Sequence, residues 1–297
     1  MELDRPIFVI GTGRSGSTAF FHAFCLHPEL AWLTGALNRF PGALWVNRML
    51  LFGQDVPLVG DQLVKNGRLG GGEVYDFWRR HVPNFDRSPR DLVAADVKSE
   101  IKASLPSLLS KTLTPRRPRL MTKLTGWSRI GYLLALFPDA RFIHVVRDGR
   151  AVATSFFNVS FWRGHQGPDH WRWGPLSSAQ MARWEAVDRE IIGLAGLNWE
   201  ILMDATAKAA DQLPNEQYFE IRYEDLCRHP LDQFKAVVEF CDLSWSLRFE
   251  NYLSQINFVN RNDGYKHKLS PRQLDALETI LAESLQRYGY SPQPSAN

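Results

Sequence analysis

Two short runs hold most of the residues able to do chemistry. The first, Gly11-Thr12-Gly13-Arg14-Ser15-Gly16-Ser17-Thr18, follows the apolar stretch Ile7-Phe8-Val9-Ile10 and leads into a helical pattern. Glycines let backbone N–H groups close around an anion, and a helix N-terminus favours negative charge. The spacing is that of a nucleotide phosphate loop, GxxxxGK[ST], but Ser17 stands at the lysine position and the cation has moved inside the loop as Arg14. A kinase or nucleoside triphosphatase with that exchange would lose its γ-phosphate cation. Gly13, Arg14, Ser15, Gly16, Ser17 and Thr18 are therefore candidates to cradle a different anionic group. The alternative is a glycine-rich turn that binds nothing.

The second run is Phe142-Ile143-His144-Val145-Val146-Arg147-Asp148-Gly149-Arg150, continuing to Ser155. A buried strand here delivers Arg147 at its carboxyl end, and Ser155 follows eight residues later, about two turns into the next helix. A guanidinium fork and a hydroxyl meeting in this way can hold a second phosphate, provided the two strands are sheet neighbours. The alternative for Arg147 is a strand-end ion pair, with Asp148 for example.

The elements that must position these runs read as an α/β fold. Ile7–Ile10, Leu120–Thr122, Phe142–Val146 and Tyr218–Ile221 are short apolar or β-branched runs of the kind found in buried parallel strands. Helical patterns alternate with them over Ser17–Leu26, Ile130–Phe137, Ser178–Ala210, Pro230–Phe240 and Pro271–Tyr288. That alternation predicts a parallel sheet with helices on both faces. Residues 38–118 break the rhythm with Gly70-Gly71-Gly72, several prolines and many aromatics, and read as a helical and loop cap over the sheet. The 297 residues suit one large domain, with no internal repeat and no linker long enough to divide it.

GxxRSGST after the first strand and VRDGRAVxxS after a later one together resemble the sulfotransferases that use 3′-phosphoadenosine-5′-phosphosulfate (PAPS), in particular the tyrosylprotein and the bacterial carbohydrate or small-molecule branches. The resemblance implies a P-loop-like fold and PAPS as co-substrate. It implies that the loop grips the 5′-phosphosulfate and that Arg147 and Ser155 grip the 3′-phosphate. It also implies that Lys123, which closes Met121-Thr122-Lys123, contacts the transferring sulfuryl group. Tyr223, in Ile221-Arg222-Tyr223-Glu224-Asp225-Leu226, would lie near the adenine. Lys266 and Lys268, in Gly264-Tyr265-Lys266-His267-Lys268, would belong to a late loop folded over the nucleotide, with Tyr265 where the family usually has Trp. Each of these last three stretches also reads plainly, as a solvated strand-end lysine, a core tyrosine and a basic loop.

The resemblance breaks at the base. The tyrosylprotein branch carries a glutamate about twenty residues past the phosphate loop, where this chain has Thr34-Gly35-Ala36-Leu37-Asn38. The remaining candidates are Glu73, Asp76 and His81 in the cap, with Glu73 preferred because it is the first carboxylate after the glycine run. Tyr75 and Phe77 are expected to desolvate it and raise its pKa. Arg14 is the candidate cation for the bridging oxygen. Phe161–Pro168 and Trp171–Gly174 form an aromatic, glycine-rich stretch that reads equally as an acceptor pocket or as core packing, while Arg116–Arg119 reads as a solvated turn.

Composition agrees with a small-molecule enzyme. The chain is 44% hydrophobic and 23% charged, and its net charge of +3 suits an anionic ligand but is too weak to imply nucleic acid. No HExxH, EF-hand or Cys/His cluster offers a metal site, and none is expected to be needed. Cys25, Cys227 and Cys241 lack disulfide spacing and read as reduced thiols. With no leader pattern before Ile7 and no long apolar run, the expectation is a cytoplasmic protein acting on a small-molecule, carbohydrate or lipid acceptor. Two other readings stay open. A degenerate small-molecule or nucleotide kinase would need Mg²⁺ and ATP, and a non-catalytic adenine-nucleotide module would bind the bisphosphate without turnover.

Overall fold

The structure, a computed structural model, describes residues 2–56 and 72–291. Five strands form one sheet: β1 (Ile7–Gly11), β2 (Leu30–Trp32), β3 (Arg119–Thr125), β4 (Arg141–Val146) and β5 (Tyr218–Arg222). Every pairing is parallel and the order is β2-β3-β1-β4-β5. All residues of β1 and β4 are buried, which is why those strands read as unbroken apolar runs rather than as alternating ones. The chain leaves β1 toward one edge and later crosses to the other, so the carboxyl end of β1 is a topological switch point. Open α/β sheets bind their ligands there.

Helices cover both faces, as the alternation predicts. On the helices Ser17–Phe24, Pro230–Phe240 and Leu247–Leu253, Phe20, Phe24, Phe234 and Phe249 pack into one apolar cluster with the strands. The rings of Phe20 and Phe234 stack at 5.1 Å. A second cluster joins the helices Gly149–Phe157, Ile191–Ala210 and Pro271–Arg287 through Val152, Leu194, Trp199, Ile280 and Leu281. Local signals set several helix starts. Ser177 and Ser270 form capping boxes with Gln180 and Gln273, and Asp148 accepts from the Arg150 N–H.

Several sequence expectations need correction. The pattern over Ser178–Ala210 is two helices, Ser178–Glu185 and Ile191–Ala210, because Asp188 and Arg189 adopt left-handed backbone at φ 53° and 55°. The short strand β2 was not anticipated. Strand β3 runs on to Thr125, so Lys123 lies inside it rather than at a solvated end. The Arg116–Arg119 stretch is not a solvated turn. Arg117 is buried, donates to the His27 and Leu30 carbonyls at 3.0 and 2.8 Å, and pairs with Asp55 at 2.8 Å. Buried Arg119 donates to the Arg5 carbonyl. Of the two readings of the aromatic stretch, core packing is the one found: Trp162, Trp171 and Trp173 all lie in the second cluster. Within residues 38–118, the described residues form the helices Leu44–Gln54, Tyr75–His81 and Ser99–Ser110, while Gly70 and Gly71 lie outside the described residues.

One contact tests this packing. A Cβ placed on Gly149 would come within 2.7 Å of the Trp199 ring, which is fully buried and has nowhere to move. Gly149→Ala should therefore destabilise the fold by about 1–3 kcal/mol, the usual range for overpacking. Urea unfolding checks this through a lower midpoint at unchanged slope. An unchanged midpoint contradicts the packing.

Candidate functional site

Strand β1 lies between β3 and β4 with Val9 level with Lys123 and Ile10 level with His144. The loop after β1 therefore emerges between the ends of those two strands. Its backbone turns through left-handed positions at Gly13 (φ 81°), Arg14 (φ 58°) and Gly16 (φ 88°), and Gly16 caps the helix Ser17–Phe24. Glycine is required at position 16 twice over. Its φ is one that side chains avoid, and a Cβ there would meet the Tyr223 ring at 2.4 Å.

On the β4 side, Arg147 reaches across to the loop. Its Nη1 donates to the Arg14 carbonyl at 2.9 Å, its Nε donates to Asn262 Oδ1 at 2.7 Å, and its guanidinium lies 4.3 Å from the Tyr223 ring centroid. Asn262 in turn donates to Glu224, which also accepts from the Asp148 N–H at 3.1 Å and the Tyr290 hydroxyl at 3.3 Å. The Tyr223 hydroxyl donates to the Val259 carbonyl at 2.7 Å. Burial lowers the Arg147 pKa, with Tyr223 and Glu224 acting in the opposite direction. The strand-end pairing with Asp148 does not occur, because Arg150 takes Asp148 at 2.7 Å. Arg147 and Ser155 do not bond to each other. Arg14 comes between them, donating through Nε to Ser155 Oγ at 2.8 Å.

On the β3 side, Lys123 is almost wholly buried. Its Nζ donates to Thr18 Oγ1 at 2.6 Å and pairs with Glu73 Oε1 at 3.0 Å. Thr125 Oγ1 donates to the same Glu73 oxygen at 3.1 Å, and the Tyr75 hydroxyl donates to the Thr125 carbonyl at 2.8 Å. The expectation of a raised Glu73 pKa is wrong in sign. Burial is the largest influence and pushes it up, but the Lys123 ammonium and the Thr125 hydroxyl together hold it below the usual carboxylate value. The other candidate bases are placed differently. Asp76 is tied to Arg79 at 2.7 Å. His81 packs against Phe77 with a ring separation of 4.7 Å, and burial lowers its pKa against a hydrogen bond to the Pro41 backbone.

Beside the loop and Arg147 lies a cleft of about 800 Å³, which Lys123, Glu73 and Ser155 do not line. Arg14, Gly16, Ser17, Thr18, Arg147 and Tyr223 line it, joined by the segment Ile256–Val259 and Arg261. Ser15 is buried beneath the loop and Gly13 backs onto Phe156. Lys266 and Lys268 are not among the lining residues: both are exposed, and Lys266 pairs with Asp263 at 2.6 Å. Arg261, a few residues earlier, does line the cleft. Sequence reasoning also passed over Asn262, Glu224 and Thr125. Glu224 stood inside a quoted motif, and Arg261-Asn262 only three residues before the next one.

The ion pair makes a measurable claim. A carboxyl held low stabilises the fold above its unfolded pKa, and that contribution fades as pH falls through the folded value. Lys123→Met leaves burial opposed only by hydrogen bonds. The Glu73 carboxyl should then titrate at higher pH than in the unaltered protein, as followed by carbon NMR. A carboxyl that stays in place shows that Lys123 does not set its charge.

The chain matches the sulfotransferase family over residues 6–246. An uncharacterised protein of Aquifex aeolicus is 26% identical over 84% of this chain and 27% of its own length. Omega-hydroxy-beta-dihydromenaquinone-9 sulfotransferase Stf3 of Mycobacterium tuberculosis is 24% identical over 61% of this chain and 44% of its own length. The chain thus spans less than half the length of either curated relative. Among solved structures, sulfotransferase STF9 of Mycobacterium avium superposes with a TM-score of 0.60 at 22% identity, covering 98% of this chain and 78% of that one, which shows the shared fold. With a single family match running through β1, the glycine-rich loop after it, β3, β4 and β5, the chain belongs to the sulfotransferase family.

Proposed function

We propose that this chain transfers a sulfuryl group from PAPS to a hydroxyl acceptor, with residues 38–118 forming the acceptor side of one functional unit. The observation that carries the reading is the meeting at one switch point of an anion loop, a braced arginine and a buried lysine–glutamate pair. The residues fit the co-substrate. Loop amides and the hydroxyls of Ser17 and Thr18 suit the 5′-phosphosulfate, and Arg147, with Ser155 and Arg261 nearby, suits the 3′-phosphate. Tyr223, with its face against Arg147, suits the adenosine.

In the proposed reaction the acceptor oxygen attacks sulfur in line. The bond from sulfur to the 5′-phosphate oxygen breaks, and adenosine 3′,5′-bisphosphate leaves with the developing charge. Arg14 and Lys123 supply positive charge to the leaving and sulfuryl oxygens, and Glu73 takes the hydroxyl proton. The Lys123–Glu73 pair links these roles. A sulfuryl group beside Thr18 competes for the Lys123 ammonium, and a Glu73 that loses its cation while still buried becomes a stronger base. The name of Stf3 specifies a lipid-quinone hydroxyl for that protein. For this chain the acceptor class proposed is a small-molecule, carbohydrate or lipid hydroxyl.

Calorimetry tests the nucleotide assignment. Adenosine 3′,5′-bisphosphate should bind about 10- to 100-fold more tightly than 5′-AMP, the worth of one charge-assisted hydrogen bond. Arg147→Ala should remove most of that preference, and equal affinities in the unaltered protein would reject the assignment. Turnover tests the base. Glu73→Gln should retain bisphosphate affinity and lose about 10²-fold or more in kcat. A variant with near-normal kcat moves the base elsewhere.

A further inference from the structure

The helix Leu44–Gln54 is apolar on the face it turns to solvent. Leu44, Asn47, Leu51 and Gln54 are buried and form the inward stripe expected of a helix packed on one side. The outward stripe of such a helix is ordinarily polar. Here it is Trp45, Met49 and Phe52, which are 68%, 63% and 43% exposed. Steps of four, three and four residues carry the same face on to Val56, and Phe40 precedes it. Five of the nine large apolar side chains exposed among the described residues thus fall between Phe40 and Val56, making one patch rather than scattered surface residues.

The chain segment that carries this patch has charge of one sign up to Gln54. From Leu30 to Gln54 the sequence contains no Asp or Glu, while Arg39 and Arg48 are both exposed. Their guanidinium groups lie 6.0 Å from the Phe40 ring centroid and 5.7 Å from that of Phe52, so the cations sit against the apolar ridge. Arg80 borders the same region: its Nε lies 3.6 Å from where a Cβ of Gly42 would stand. Asp55, the next acid in the chain, is held by Arg117.

We propose that this ridge docks the protein on an anionic lipid surface. Trp45, Met49 and Phe52 enter the interfacial layer, and Arg39, Arg48 and Arg80 face lipid phosphates. Aromatic rings flanked by arginines, with Asp55 at the far end already paired to Arg117, are the chemistry of an interfacial helix. A second copy fits less well, since a two-fold contact through this ridge would bring the arginine rims of both copies together. The same helix ends at Gln54, which lines the cleft, so the docking surface and the cleft share one element. The inference does not depend on the proposed reaction.

Co-sedimentation with vesicles tests it. The protein should bind phosphatidylcholine vesicles that contain phosphatidylglycerol, bind pure phosphatidylcholine far less, and be released by salt. The paired substitution Trp45→Glu and Met49→Glu should weaken partitioning about tenfold or more, and Arg39→Glu with Arg48→Glu should do the same. These side chains are exposed, so the melting temperature should not move, and the affinity for adenosine 3′,5′-bisphosphate serves as a second check on folding. Three results overturn the proposal: equal binding to neutral and anionic vesicles, unchanged binding by the Trp45/Met49 variant, or a concentration-dependent dimer that this variant abolishes. Retention on soluble polyglutamate that depends on Trp45 and Met49, without vesicle binding, would reassign the ridge to an acidic protein partner.

Discussion

Pairing of β1 between β3 and β4 is the constraint on which the site depends. Parallel registry brings three carboxyl ends together, and each end delivers one chemical component: the loop from β1, Lys123 from β3 and Arg147 from β4. A slip of one residue in either pairing would turn the strand's side chains to the opposite face and withdraw one of the two cations. Apolar burial on both faces of these strands makes such a slip costly. The same packing that stabilises the fold therefore fixes the geometry of the site.

The two cations are held by different means. Lys123 is deeply buried, and an ammonium in such a place needs a counter-charge, which Glu73 supplies together with the Thr18 hydroxyl. Among the described residues, Arg147 pairs with no carboxylate directly. It rests on the Tyr223 ring and is oriented by the neutral amide of Asn262, with Glu224 one step further back. An amide fixes direction without neutralising the charge, so the guanidinium keeps its attraction for an incoming anion. One cation is matched to a carboxylate, and the other is oriented by an amide and a ring.

Much of this was legible in the sequence where the signal was local. The phosphate loop showed because glycines, hydroxyls and an arginine fall between a strand and a helix. Arg147 showed because a buried strand ends on it, and four of the five strands were visible as apolar runs. Strand β2 was not, since three residues carry no periodicity. The break at Asp188 and Arg189 carried no glycine to mark it, and charged residues there suggested only a solvated helix face. Glu73 was picked out, but its charge state was misjudged, because Tyr75 and Phe77 are neighbours in sequence while Lys123 is a neighbour only in space. Asn262 and Glu224 escaped for the same reason: a brace joining residues 38 positions apart has no pattern until the chain has folded.

The family match ends at residue 246, yet the C-terminal stretch completes the cleft. Val259 holds the Tyr223 hydroxyl, Asn262 aims Arg147, and Tyr290 reaches back to Glu224. The end of the family match and the end of the cleft's framework thus fall in different places. During synthesis the loop, Lys123 and Arg147 all leave the ribosome well before the residues that brace them. The nascent chain can build its sheet while the cleft is still unfinished.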